Sequence, residues 1–478
     1  MSDRNKGVKI MNLESAHNLS LDEMDKQSFL HPYTALKAHQ ETGSVIIDSG
    51  KGVTLKDING KEYIDGMAGL WCVNIGWGHS EVVDAITEQA KNLPYYHSFF
   101  SMATESPIRL ADRILRLAPK NMSKVFFGNS GSDANDTNVK LVWYYNNIRG
   151  KPEKQKIISR ERAYHGVSVA SASLTGLPSV HASFNLPLPM IRHTVTPHYW
   201  RNAEPGMTEL EYSDWCAQKL EEMILEEGPD TVGAFIAEPI MGAGGVIVPP
   251  EGYFPAIQKV LRKYDILMIA DEVICGFGRT GNWFGSETYN IEPDIMTIAK
   301  GMTSAYIPMS GSIISEEIWK VLEAGAPGVP YFAHGYTYTA HPIAAAAAMA
   351  NIGIMQRDNL PQRCAIIGKY FQKRLRDTVG EHPLVGEVRG EHLLAAVELT
   401  SKKGTKEEFD MDLAIGARLG KYAIEEGLIV RPLPLATAIS FAPPLIITED
   451  EVDEALSRFK KALDRITDEL VREGTWKP

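Results

Sequence analysis

Four short apolar runs in this chain end on residues that could do chemistry. "VFF" (125–127) leads into Gly128 and the turn Asn129-Ser130-Gly131-Ser132, "VGAFIA" (232–237) into Glu238, "ILMIA" (266–270) into Asp271, and "IMTIA" (295–299) into Lys300. A partly desolvated lysine amine is a nucleophile toward a carbonyl carbon. A carboxylate can keep a proton on a heteroaromatic nitrogen. A Gly/Ser turn at the start of a helix offers an anion free N–H groups, hydroxyls and the positive end of the helix dipole. The turn lacks both G-x-x-x-x-G-K-[ST] and G-x-G-x-x-G, so it reads as a seat for a single phosphate monoester. Taken singly, each residue also has an ordinary reading: a solvated strand-end lysine, an aspartate turn former, a serine-capped helix.

Taken together, Ser130–Ser132, Asp271 and Lys300 match the three attachment points of pyridoxal 5'-phosphate: its phosphate, its pyridine nitrogen and its aldehyde. The elements that must position them follow from the texture of the chain. From about residue 123, short β-rich runs alternate with helical segments, the signature of a mostly parallel sheet with helices on both faces. In such sheets ligands bind beyond the carboxyl ends of the strands, where these residues lie. Upstream, residues 44–69 alternate apolar runs with Asp/Asn-Gly turns, a small antiparallel pattern, and the first thirty or so residues read as an arm. Ser80 is expected to cap a helix over 81–93, and Pro342 to precede a buried alanine-rich helix. Thr448 and Glu451 form a capping box ahead of a stripe made by Val452, Leu456, Phe459, Leu463, Ile466 and Leu470.

The bounds fit a soluble enzyme. The chain has 478 residues, 44% hydrophobic, with 49 basic against 60 acidic residues and a net charge of −11. That length can bury a large core in two or three structural units. No basic concentration points to nucleic acid or an anionic membrane, and no apolar stretch is long enough to span a bilayer. The N-terminus lacks the apolar core of a signal peptide. Cys72, Cys216, Cys275 and Cys364 lie far apart, without metal-type spacing and too few for a disulfide framework. A reduced, cytoplasmic setting is the expectation, with no metal.

The chain resembles the class III pyridoxal-phosphate aminotransferases, and within them the ω-amine:pyruvate branch. The words that carry the resemblance are "MAGLWCVNIGWGH", "NSGSDANDTNVKLVWYYNN", "RAYHG", "IAEPIMGAGGVIVPP", "ADEVICGFGRTG", "IAKG", "HGYTYTAHP" and "GLIVRP". The resemblance implies an α/β fold of PLP fold type I, a three-layer α/β/α large domain with a mostly parallel sheet plus a smaller α+β domain. It divides the chain into an arm and part of the small domain (1–70), the large cofactor-binding domain (71–335) and a C-terminal small domain (336–478). It implies that Lys300 binds the cofactor covalently and shuttles protons, and that Asp271 pairs with the pyridinium. Val273 and Tyr164 would pack on the two ring faces, His165 would support Tyr164, and Ser130, Gly131 and Ser132 would hold the phosphate. Thr337, with Tyr336, would complete that cup from a second subunit of a homodimer or a dimer of dimers. Glu238 would be a supporting acid near the cofactor. Trp71, Phe99 and Phe100 would line the amine pocket, and Arg431 would be the mobile arginine that grips a substrate carboxylate.

Two departures from the family pattern matter. Asp133 stands where the phosphate-loop word usually has glutamate. Ala243 stands where ornithine and γ-aminobutyrate transaminases carry a glutamate that parks the mobile arginine, which favours the amine:pyruvate branch. The implied substrates are a primary amine or ω-amino acid as donor and pyruvate as keto-acid acceptor. The competing readings are 2-oxoglutarate as acceptor, another reaction of the same cofactor such as an aminomutase or decarboxylase, and a catalytically dead scaffold.

Overall fold

A computed structural model describes residues 19–326, 328–329, 331–433 and 437–477. Among the described residues the chain forms two compact units: residues up to 49 with 56–61, and residues 50–55 with those from 62 onward. The first unit holds the helices Leu21–Ser28 and Leu36–Thr42, the former closed by a Ser20/Glu23 capping box. The expected N-terminal arm falls partly outside the described residues.

The second unit is organised by a seven-stranded sheet. Its order is Met122–Gly128, Ser310–Ser315, Ile295–Ile298, Leu267–Asp271, Val232–Ala237, Lys156–Arg160, Ile191–Thr194. Neighbours pair in parallel from 295–298 through to 191–194. Strand 310–315 pairs antiparallel with both of its neighbours, so 122–128 points the same way as the parallel set. The carboxyl ends of the four runs singled out in the sequence therefore share one edge. The antiparallel strand was not read from the sequence: "SGSIIS" is short and half polar, and only its place between strands 122–128 and 295–298 buries it.

Period-two alternation explains why the sheet is covered on both faces. Ala234, Ile236, Leu267, Ile269 and Ile295 enter one core with Val139, Val142 and Tyr145 of helix Gly131–Ile148. Phe235, Ala237, Met268, Ala270 and Met296, one residue out of phase, enter another with Leu220 and Ile224 of helix Glu209–Glu227 and Phe254, Ile257 and Leu261 of helix Tyr253–Lys263. The result is the expected three-layer α/β/α arrangement.

A second sheet is antiparallel throughout, in the order Val385–Glu391, Leu394–Leu399, Ala438–Phe441, Arg431–Pro432. Helix Glu449–Glu473 begins with the expected Thr448/Glu451 capping box, and all six residues of its predicted stripe are buried. Helix Pro342–Arg357 starts on Pro342 itself and buries most of its alanines. Ser80 is the first residue of helix Ser80–Asn92 rather than its cap. His79 takes the cap position without a side-chain bond, its backbone N–H donating to Tyr306 Oη (2.7 Å) instead. Among the described residues no helix is long and apolar enough to cross a membrane.

Candidate active site

Lys300 follows strand 295–298 in a single 3-10 turn, Lys300–Met302, with φ +42. A side chain in that left-handed region is strained, and such strain persists only where surroundings over-determine it. The Lys300 side chain is half-buried by accessible surface, yet protein surrounds it closely enough that burial pulls its pKa below the ordinary lysine value. Cys72, Asp271 and Glu238 push back, so all three lie within electrostatic range of the amine. Its Nζ sits 5.7 Å from the centre of the Trp71 ring.

Asp271 ends the neighbouring strand, with Asp271 opposite Thr297 in the parallel register. Its carboxylate is 3% exposed and fixed from three directions. Oδ2 accepts from Asn135 Nδ2 (2.8 Å) and lies 2.7 Å from His165 Nδ1, while Oδ1 accepts from the Val273 N–H (3.1 Å). His165 thus touches Asp271 directly. Its other ring nitrogen, Nε2, is buried with no hydrogen-bond partner.

The phosphate-type turn is a capped helix start, as the sequence requires. Ser130 is the N-cap of helix 131–148, its Oγ accepting from Asp133 N (3.1 Å), and Asp133 reaches back to the N–H groups of Asn129 and Ser130. The shorter Asp133 therefore still closes the box, and Ser310 Oγ donates to it (2.9 Å). A Cβ on Gly131 would lie 3.2 Å from a methyl of Val273 and 3.9 Å from Cβ of Ala299. One glycine thus marks where the helix start, the residue two after Asp271 and the residue before Lys300 converge. Ser132 Oγ accepts the Val167 N–H (3.1 Å), tying the turn to the loop that carries Tyr164 and His165.

Glu238, 3% exposed, has a structural task the sequence did not reveal. Its two oxygens accept the N–H groups of Tyr164 (3.0 Å) and Gly242 (2.8 Å), so it fixes two loops. Burial raises its pKa, with the charges of His165 and Arg160 opposing. Trp71, also with positive φ (+58), is 3% exposed. The Arg431 guanidinium carbon stands 4.5 Å from the centre of its ring, a cation–π distance.

The remaining expected residues gather in a second group. Phe99 is half-buried against Gly335, and Phe100 is 90% exposed. Tyr336 Oη donates to the Asp133 carbonyl (3.0 Å) and contacts Thr137 Oγ1 (3.1 Å). Thr337 is exposed, and its carbonyl accepts from Tyr95 Oη (2.7 Å).

The aminotransferase class III family model matches residues 35–463. The chain belongs to the class III aminotransferases. An uncharacterized aminotransferase of Sinorhizobium fredii is 52% identical over 95% of this chain and 98% of its own length. A diaminobutyrate–2-oxoglutarate transaminase of Halomonas elongata is 49% identical over 95% and 98%. The ω transaminase of Pseudomonas jessenii, solved in complex with PMP, superposes with a TM-score of 0.92 at 46% identity, covering 94% of this chain and 99% of that one. As a class III aminotransferase the protein is a pyridoxal-phosphate-dependent enzyme of PLP fold type I.

The residues of this aminotransferase fit that cofactor. A buried carboxylate, a lysine amine depressed by burial and a glycine-opened helix start converge, and the orphaned Nε2 of His165 lies on the same cluster. The sequence reading missed Asn135, which donates to both Asp271 Oδ2 and the His165 carbonyl (2.7 Å), and Thr297, whose Oγ1 donates to Asn135 Oδ1 (2.7 Å). Asn135 lies one helical turn beyond Gly131. That spacing alone could have drawn it into the site.

Proposed function

We propose that this aminotransferase moves the amino group of a primary amine or ω-amino acid to pyruvate, giving alanine. Bound pyridoxal phosphate supplies an aldehyde that accepts the nitrogen and a protonated ring that draws in electron density. Lys300 Nζ, whose pKa burial lowers, takes the proton from the amine-bearing carbon of the donor. Asp271, held by His165, Asn135 and the Val273 N–H, keeps the proton on the pyridine nitrogen. Val273 and Tyr164 would pack on the ring faces, and Ser130, Gly131 and Ser132 would bind the phosphate. Trp71, Phe99 and Phe100 shape the amine pocket. Tyr336 and Thr337 complete the phosphate cup of the other subunit in a homodimer, and the division at about residues 70 and 335 separates its domains. Four unpaired cysteines, three of them buried, suit a cytoplasmic protein.

The observation that favours the pyruvate reading is position 243, which is a buried alanine here and offers no acid to Arg431, whose guanidinium lies over the Trp71 indole. An arginine that no acid at position 243 holds can turn to a carboxylate and turn away when the substrate is apolar, where a fixed charge would reject it. The same guanidinium can grip a carboxylate through two parallel bonds. The 49% identity to a diaminobutyrate–2-oxoglutarate transaminase favours a second reading, with 2-oxoglutarate as acceptor. A screen of amine donors against both keto acids decides between them. Arg431→Ala should cut kcat/KM for pyruvate by about 10- to 100-fold, the loss of a charge-assisted pair. The carboxylate-free amine half-reaction should change by less than about threefold. Equal losses in the two half-reactions would count against the gate.

A further inference from the structure

The turn that carries Lys300 is held by an amide that belongs to neither site group. Lys300 (φ +42), Ser304 (φ +47) and Ala305 (φ +61) all adopt left-handed backbone within six residues, without glycine at any of the three. Such a backbone needs outside support. Asn351 supplies it from the buried face of helix 342–357, where its neighbours include Ala347, Ala348, Ile352 and Met355. Its side chain is 0% exposed. Nδ2 donates to both the Gly301 carbonyl (2.9 Å) and the Met302 carbonyl (2.8 Å). Oδ1 accepts from Ser304 Oγ (2.7 Å), which in turn accepts the Ile75 N–H (3.3 Å). Two carbonyls on one side and a hydroxyl on the other leave a single orientation for the amide.

The opposite side of the turn is closed by Asn74. A Cβ on Gly301 would lie 2.4 Å from Asn74 Nδ2, so glycine is what lets the two approach. Asn74 is itself fixed, donating to the Phe277 carbonyl (2.8 Å) and accepting from Arg279 (2.8 Å). A lone amide in an alanine-rich helix face is costly unless every polar group is matched. Here its donors are spent on the two residues directly after the lysine.

We propose that Asn351 is a positioning residue for Lys300, fixing the left-handed turn so that the amine points between Trp71 and Asp271. The inference rests on Lys300 being the cofactor-binding lysine. It predicts that loss of the amide misdirects the amine without weakening substrate binding. Misplacement of a reacting group by about 1 Å costs about 100-fold in rate.

The test uses the holoenzyme. Asn351→Ala should lower kcat by about 100-fold, with KM for both substrates within about threefold of wild type. The pH midpoint of the visible absorption of the lysine-bound cofactor should move by about one unit. Amide exchange at Met302 to Ser304 should quicken in the same variant. Asn351→Asp keeps the shape, and serves where the alanine variant fails to fold. Ionised, it repels both carbonyls. Protonated, it can donate to one of them, so its kcat should recover as pH falls, a buried acid titrating above the ordinary range. Midpoint and kcat at wild-type values in either folded variant would overturn the inference. So would a fall in melting temperature with an unmoved midpoint. Borohydride reduction of the wild-type holoenzyme and peptide mapping separates the two readings. Label on another lysine brings down the Lys300 assignment and this inference with it. Label on Lys300 beside an unmoved midpoint brings down this inference alone.

Discussion

At the scale of single residues, Lys300 carries opposing demands. Burial favours its neutral, nucleophilic form, while Asp271 and Glu238 nearby favour the charged one. The balance leaves its pKa below the ordinary value, which raises the fraction able to attack a carbonyl at neutral pH. Lys300→Ala should therefore abolish turnover, by at least about 1,000-fold, while circular dichroism stays that of the wild type. Normal turnover in that variant would refute the assignment. Trp71 shows why residue type alone does not announce a role. Its spacing suits an ordinary core tryptophan, and it is buried like one. What distinguishes it is that its face meets both Lys300 and Arg431. Glu238 and Asp271 make the opposite point. Both are strand-end acids with equal burial, yet one is spent on backbone N–H groups of two loops and the other is clasped by His165 and Asn135.

At the scale of elements, strand ends and helix starts do most of the positioning. The adjacent acid, Glu272, turns away from the cofactor cluster. Its carboxylate accepts from Gly285 N (2.9 Å), Ser286 N (2.6 Å) and Ser286 Oγ (2.6 Å), closing the short helix Gly285–Thr288. Burial nevertheless pushes its pKa up to about 7, the three hydrogen bonds only partly offsetting it. The unfolded chain releases this proton near pH 4.5, the folded chain near 7. Between those values the folded state holds more protons, so stability falls as pH rises through the window. The contribution is full below about pH 4.5 and lost above about pH 7, amounting to about 3 kcal/mol. Glu272→Gln should flatten that part of the stability curve whatever its effect on absolute stability. A chemical-denaturation series from pH 5 to 8 measures the slope, and an unchanged slope would assign the pH dependence elsewhere. Elements legible in the sequence were those whose signals are local. The Thr448 and Ser130 caps and the final helix stripe read correctly because each needs only residues within a turn or two. Ser80 is not the cap because the helix starts one residue earlier, after His79, whose own N–H is taken up by Tyr306 Oη from far along the chain.

At the scale of the whole molecule, large apolar side chains remain uncovered on the single chain. Phe100 is 90% exposed, Tyr331 66% and Tyr338 58%. Apolar exposure of this kind is a sign of a partner surface. Phe100 and the Tyr336–Thr337 segment belong to the site that the homodimer proposal completes. Light scattering across a dilution series should give at least twice the chain mass. Phe100→Ser should shift that equilibrium toward the monomer and lower cofactor retention together. Monomer mass at all concentrations with full activity would remove the shared-site proposal.

The sequence by itself determined which chemical groups stand at the four strand ends, because those strands and the turn at Ser130 are written in neighbouring residues. Lys300, Asp271, the Ser130–Ser132 turn and the family words were all readable there. Tertiary structure alone decided what those groups meet. Asn135 and Asp271 are separated by 136 residues, and Asn351 and Gly301 by 50. Asn351, in mid-helix, has no spacing that marks it, and its partners exist only once the strands have taken their order. The division of labour among Glu238, Asp271 and Glu272 is a tertiary decision for the same reason: three buried acids at two strand ends differ only in which donors the fold brings to them.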